Sequence, residues 1–223
     1  MNLSSKPAAY PKAVLFDLLT ALLDSWTLWN VASGGEEHGR RWRTEYLRLT
    51  YGCGAYVPYE QLVRQAARNT GLPESAAQEL EAQWSTLPVW SGAREALLML
   101  QPHCKLAVVT NCSCRLGHEA AFRLGIAWDA VVTAEEAGFY KPHPQPYQLT
   151  LQRLGISARE AAFVAGSGYD MFGTSRVGLR TYWHNRVGLK LPTGAPTPEV
   201  QSATLDSLGG WLQGFQLSLM ESS

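Results

Sequence analysis

Ala13-Val14-Leu15-Phe16-Asp17 is a short continuous apolar run that ends on a carboxylate. Without polar alternation, such a run predicts a strand covered on both faces, as in a parallel sheet. Four further stretches read the same way: Leu106-Ala107-Val108-Val109, Ala130-Val131-Val132-Thr133, Ala161-Ala162-Phe163-Val164-Ala165 and Leu179-Arg180-Thr181-Tyr182-Trp183. Helical patterns fill the gaps, over Arg94 to Leu100, Arg115 to Leu124 and Pro146 to Leu154, the last two stopped by Gly125 and Gly155. Glycine is the residue expected where a helix ends in a left-handed conformation. Strand–helix alternation of this kind predicts an α/β fold, a doubly wound (Rossmann-like) parallel sheet with right-handed crossovers.

Between the first two runs the alternation fails. Ser25 to Pro88 carries only helical patterns, over Glu36 to Tyr51, Tyr59 to Thr70 and Glu74 to Ser85, with Gly71-Leu72-Pro73 between the last two. Roughly sixty residues exceed the dozen or so that a crossover requires. The expectation is a helical cap, residues 25–88, inserted after the first strand of an α/β core made of residues 1–24 and 89–223, with hinges near Asp24 and Val89. The alternative is that these helices simply cover one face of the sheet. Trp42, Tyr46 and Tyr51 stand at near-helical spacing, either lining a lid that excludes water or forming the insertion's own core. Pro192 to Pro198 reads as a loop before a last short helix from Leu205 to Phe215, followed by a frayed Ser-rich end.

Of 223 residues, 46% are hydrophobic and 17% charged, enough for a sizeable core and against wholesale disorder. Lys+Arg and Asp+Glu both total 19, a formal net charge of +0 with no segregated basic face, so a nucleic-acid partner is not expected. No apolar run approaches the ~20 residues of a membrane span. Met1 to Pro11 is polar, with no signal-peptide core. Four Cys in this length are not a disulfide framework. Together these features predict a soluble, cytoplasmic protein with reduced thiols. Cys112-x-Cys114 lacks the further ligands a zinc ion needs and reads as a helix start. His143 reads as a turn residue, and His184 is given no role.

Ligands of an open parallel sheet bind beyond the carboxyl ends of its strands. The residues that follow the apolar runs are Asp17, Thr110-Asn111, Lys141, and Ser167 with Asp170. A lone Asp after a strand is commonly a cap or turn residue. Carboxylate, hydroxyl, amide, ammonium and a second carboxylate in this order point instead to a site.

Val14-Leu15-Phe16-Asp17, Val109-Thr110-Asn111, Tyr140-Lys141-Pro142 and Phe163-Val164 with Asp170 resemble the four ordered motifs of the haloacid dehalogenase (HAD) superfamily, over nearly the whole chain. Within it the chain looks most like the type II L-2-haloacid dehalogenases, through Leu22-Leu23-Asp24, through Tyr147 six positions after Lys141, and through Tyr182-Trp183-His184-Asn185-Arg186. The resemblance implies catalytic roles for Asp17, Lys141 and Asp170. It implies substrate contacts for Arg43, Thr110, Asn111, Tyr147 and Ser167, with Arg40, Arg41 and Arg48 near enough to compete with Arg43. It implies no cofactor, and, since dimers are common among these relatives, a homodimer as one candidate assembly. The chain also departs from the pattern. Leu19 stands two positions after Asp17, Ala21 four positions after it with Thr20 one place early, and Ala165-Gly166-Ser167-Gly168-Tyr169-Asp170 replaces the dehalogenases' Ser-Ser-Asn-Ala-Trp-Asp.

Leu19 separates two chemistries. Phosphatases of the superfamily carry an acid there, because an alkoxide leaving group needs a proton. A halide leaves without one, so a Leu permits displacement at carbon more readily than phosphoryl transfer. The implied reaction is attack of Asp17 on C2 of a small 2-haloacid, then hydrolysis of the ester by water activated near Asp170. The alternatives are a phosphatase holding Mg²⁺ through Asp17, Asp170 and the Leu19 carbonyl, or a catalytically degenerate protein of this fold.

Overall fold

The computed structural model describes residues 10–215, and all five apolar runs become strands. These are β1 (Ala13–Phe16), β2 (Lys105–Thr110), β3 (Ala130–Thr133), β4 (Ala161–Ala165) and β5 (Arg180–His184), joined by a sixth, β6 (Val200–Ser202), for which no expectation was set. That last strand is short and only partly buried, so it has no apolar run to announce it. The sheet runs β3-β2-β1-β4-β5-β6 with every pairing parallel. Val14 and Phe16 pack into one core cluster and Ala13 and Leu15 into the other, so β1 is buried on both faces and needs apolar residues at every position. The chain moves outward from β1 through β2 to β3, then restarts on the opposite side at β4. The strand order therefore reverses between β1 and β4, and a ligand crevice opens at the carboxyl ends of such a pair.

The insertion contains α1 (Ser25–Ala32), α2 (Glu36–Gly52), α3 (Tyr59–Asn69) and α4 (Glu74–Ala82), and α5 (Ala93–Leu100) follows before β2. The α1 helix escapes a sequence reading because its apolar residues give no clean stripe; its start is nevertheless written in Asp24, whose carboxylate accepts from the Thr27 N–H at 3.0 Å and from its hydroxyl at 2.6 Å. The pattern expected to carry on as α-helix to Ser85 tightens into a 3₁₀ turn at Trp84–Thr86. At the neck, Leu23 and Val89 form an antiparallel bridge. The Asp24 N–H donates to the Pro88 carbonyl at 2.8 Å, and the Trp90 N–H to that of Leu22 at 2.9 Å. Trp42 belongs to the insertion's own core: its indole lies 4.6 Å from that of Trp29 and donates to the Val63 carbonyl at 2.9 Å.

The remaining helices are α6 (Cys114–Phe122), α7 (Ala134–Ala137), α8 (Pro144–Leu154), α9 (Asp170–Val177) and α10 (Leu208–Gln213). The α10 helix is shorter than the expected Leu205 to Phe215, which fits the low helix propensity of Gly209 and Gly210. The expectations for the N-terminal stretch, apart from Tyr10 and Pro11, and for the Ser-rich C-terminal end fall outside the described residues. Among the described residues no helix is long and apolar enough to cross a membrane.

Trp42 gives the fold a direct check. Trp42→Ala removes a fully buried ring and its hydrogen bond to the Val63 carbonyl, so it should cost about 3–5 kcal/mol. A urea denaturation midpoint within error of the parent's would contradict the packing described.

Candidate active site

Asp17 follows β1 directly, with its N–H bonded to the Val164 carbonyl of β4 at 2.9 Å, so its side chain stands at the switch point. The chain then turns tightly. Oδ2 of Asp17 accepts from the Thr20 N–H at 3.0 Å, the Thr20 hydroxyl at 2.6 Å and the Ala21 N–H at 3.1 Å. Oδ1 faces Lys141 Nζ at 2.7 Å, and the same ammonium reaches Asp170 Oδ1 at 3.1 Å. Tyr147, on α8, donates its hydroxyl to Asp170 Oδ1 at 3.0 Å. Asp170 Oδ2 is buried and has no hydrogen-bond partner among the described residues. Asp17, Lys141 and Asp170 are thus one buried cluster assembled from three separate strand ends, although Lys141 lies beyond α7 and not directly after β3.

The charges in this cluster set one another. Burial alone would raise the Asp17 carboxyl, but the Lys141 ammonium and the Thr20 donors hold it below its usual range. For Asp170 burial wins, helped by the Asp17 charge, and its pKa is raised despite Lys141. Burial would lower Lys141, but the two carboxylates outweigh it and raise its pKa.

The expected substrate contacts divide. Arg43 is buried, donates to Ser25 Oγ at 2.8 Å and stacks 4.0 Å from the centre of the Trp26 ring; no carboxylate pairs with it among the described residues. Ser25 Oγ in turn donates to the Leu19 carbonyl at 2.6 Å, which ties the insertion to the turn after Asp17. Ser167 is half-buried on a large cleft and accepts from the Tyr169 N–H at 3.3 Å. Asn111 is tied to Lys141. It donates to the Lys141 carbonyl at 3.0 Å and accepts from the Lys141 N–H at 2.7 Å, so it clamps the lysine's backbone. Tyr147 is wholly buried against Asp170 and the Phe163 ring, so it orients that carboxylate from behind. Thr110 ends β2 fully buried, its hydroxyl unpartnered among the described residues.

Sequence reasoning passed over three residues that build this site. Thr20 supplies two of the donors to Asp17. Gly166 makes that possible: a Cβ there would lie 2.2 Å from Thr20 Oγ1 and 2.3 Å from the Ala21 nitrogen. His184, which had no assigned role, lies inside β5 with Nδ1 2.7 Å from the Ala21 carbonyl and braces the same turn. The signal for the first two was in the chain, since the early Thr and the Gly in place of Ser are two halves of one packing solution. His143 caps α8, accepting from the Gln145 N–H at 3.2 Å, as a turn residue should.

The Mg²⁺ alternative can be tested on these donors, and they do not fit it. The Lys141 ammonium lies between Oδ1 of Asp17 and Oδ1 of Asp170, and the Leu19 carbonyl already accepts from both the N–H and the hydroxyl of Ser25.

Residues 14–184 match the family model described as haloacid dehalogenase-like hydrolase. The chain belongs to this family. Relatives of this hydrolase include the haloacetate dehalogenase H-2 of Moraxella sp. (strain B), 25% identical over 214 residues that cover 88% of this chain and 96% of that one. The (S)-2-haloacid dehalogenase of Xanthobacter autotrophicus is 27% identical over 184 residues, covering 75% and 72%. Its fold is similar to that of the L-2-haloacid dehalogenase of X. autotrophicus with chloropropionic acid covalently bound, with TM-score 0.83, 21% identity, and coverage of 92% of this chain and 100% of that one.

Gly166→Ser places the residue that resembles the dehalogenases' segment but drives a side chain into the turn after Asp17. It should destabilise this hydrolase by about 1–3 kcal/mol through overpacking and weaken its hold on Asp17. A thermal midpoint and activity equal to the parent's would contradict the close approach.

Proposed function

We propose that this hydrolase displaces halide from C2 of a small 2-haloacid through an ester on Asp17. The observation that carries the proposal is the Asp17 carboxylate, held ionised by Lys141, beside a Leu19 that offers no proton to a leaving group. Oδ1 of Asp17 forms a bond to C2 as the carbon–halogen bond breaks; the halide leaves with the bonding pair and C2 inverts. Oδ2 then becomes the ester carbonyl oxygen, and its three donors from Thr20 and Ala21 form an oxyanion hole for the next step. Water adds to Cγ of Asp17 and gives a proton to Asp170, whose Oδ2 is the acceptor left open. Collapse expels the 2-hydroxyacid, which takes that proton, and Asp17 loses its own at its lowered pKa. Arg43 binds the substrate carboxylate, and the cap, residues 25–88, carries it to the site.

The covalent adduct named for the X. autotrophicus enzyme, and the dehalogenases among the relatives, support this chemistry over phosphoryl transfer. Asp17→Asn should reduce halide release from 2-chloropropionate by at least about 10³-fold. Asp170→Asn should slow hydrolysis by about 10²–10⁴-fold and let the ester accumulate as a mass increase on the peptide containing Asp17. Unchanged release by Asp17→Asn, or no release across a panel of 2-haloacids, would overturn the proposal.

The pH profile follows from the two carboxylates. Asp170 must be ionised to accept a proton, and its pKa is raised, so activity falls with pH through a limb above its ordinary 3.8. Asp17, shifted the other way, stays ionised across that window. Tyr147→Phe removes a donor that favours the Asp170 anion, so the limb should move to higher pH. A limb that stays in place in that variant would remove Asp170 as the base.

A further inference from the structure

The cleft at the site is far larger than a three-carbon acid requires. It is a cleft open to solvent with a volume of about 1210 Å³, above the ~300–1,000 Å³ typical of sites for drug-sized ligands. Thr20 and Ser167 line it, so it adjoins the turn after Asp17 and the loop that leads to Asp170, although neither carboxylate is itself part of the lining. The rest of its wall mixes rings and aliphatic side chains, among them Trp26, Leu47, Tyr51 and Trp90, with charged ones such as Arg40 and Lys190.

This volume is not a gap left by a cap standing away from the core. The Tyr46 hydroxyl donates to the Asn111 carbonyl at 3.2 Å, the Trp84 indole to the Leu116 carbonyl at 2.9 Å, and the Tyr140 hydroxyl to the Val57 carbonyl at 2.7 Å. Tyr51 of the insertion also packs on Tyr169 of the core, with ring centres 4.7 Å apart. The insertion is seated, and the cleft remains.

Trp26 connects the cleft to the charge-binding end. The Arg43 guanidinium stacks on its ring, and the same residue lines the cleft. Trp26 thus borders both the guanidinium and the cleft. We propose that the preferred substrates are 2-haloacids whose C2 carries a bulky, ring-bearing substituent, with that group lying along Trp26, Tyr51 and Trp90. The proposal rests on the dehalogenase reading above and names its substrate class; the bonds made and broken are unchanged.

Halide release from 2-chloropropionate and from 2-chloro-3-phenylpropionate tests it on the parent enzyme. Burying a phenyl group predicts a kcat/KM for the phenyl acid higher by about tenfold or more. Equal or preferential turnover of chloropropionate overturns this inference and leaves the dehalogenase reading standing; release from neither acid overturns both. Leu47→Trp, which fills the cleft away from Asp17, should lower kcat/KM for the phenyl acid about tenfold more than for chloropropionate, and an unchanged ratio in the folded variant overturns the placement. On the parent enzyme, 3-phenylpropionate should inhibit chloropropionate turnover at a concentration about tenfold below that needed for propionate; equal inhibition counts against the cleft as the binding surface.

Discussion

One ammonium, Lys141, lies between two buried carboxylates that arrive from opposite sides of the sheet's switch point. Burying any one of these charges alone would be strongly unfavourable, and removing one partner would leave the others uncompensated. The surrounding structure is arranged to prevent that. Asn111 holds the lysine's backbone by two hydrogen bonds, Tyr147 supports Asp170, and Thr20 with Ala21 supports Asp17. The two carboxylates are also shifted in opposite directions: Asp17 toward the anion, and Asp170 toward a higher pKa.

Much of the core was legible because a strand buried on both faces leaves a continuous apolar run, and five of the strands have one. The β6 strand does not, being short and at the sheet edge, and so gave no signal. The α1 helix was missed because Trp26 and Trp29 serve different surroundings, one on the cleft and one in the insertion core, which blurs any stripe. At the site, Asp17, Lys141 and Asp170 could be named because strand ends converge whatever the loops do. What sequence could not assign was the direction in which each polar group is spent. Asn111 and Tyr147 look like substrate ligands in one dimension, yet their hydrogen bonds go to Lys141 and Asp170.

The departures from the dehalogenase pattern are coupled and not independent losses. Moving the hydroxyl one residue earlier, to Thr20, brings the turn against the chain at Gly166, where no side chain fits. His184 then braces the Ala21 carbonyl of the same turn. Leu19 gives its carbonyl to Ser25, and Ser25 receives Arg43. Through that backbone carbonyl the insertion's arginine is linked to the turn after Asp17.

The origin of the product's new oxygen tests the central chemistry most directly. In a single turnover in H₂¹⁸O with enzyme in excess, an ester on Asp17 delivers unlabelled 2-hydroxyacid and leaves ¹⁸O in the Asp17 carboxylate, detectable on its peptide by mass spectrometry. First-turnover product that already carries ¹⁸O, with Asp17 unlabelled, would mean that water attacks C2 itself, and would contradict the account.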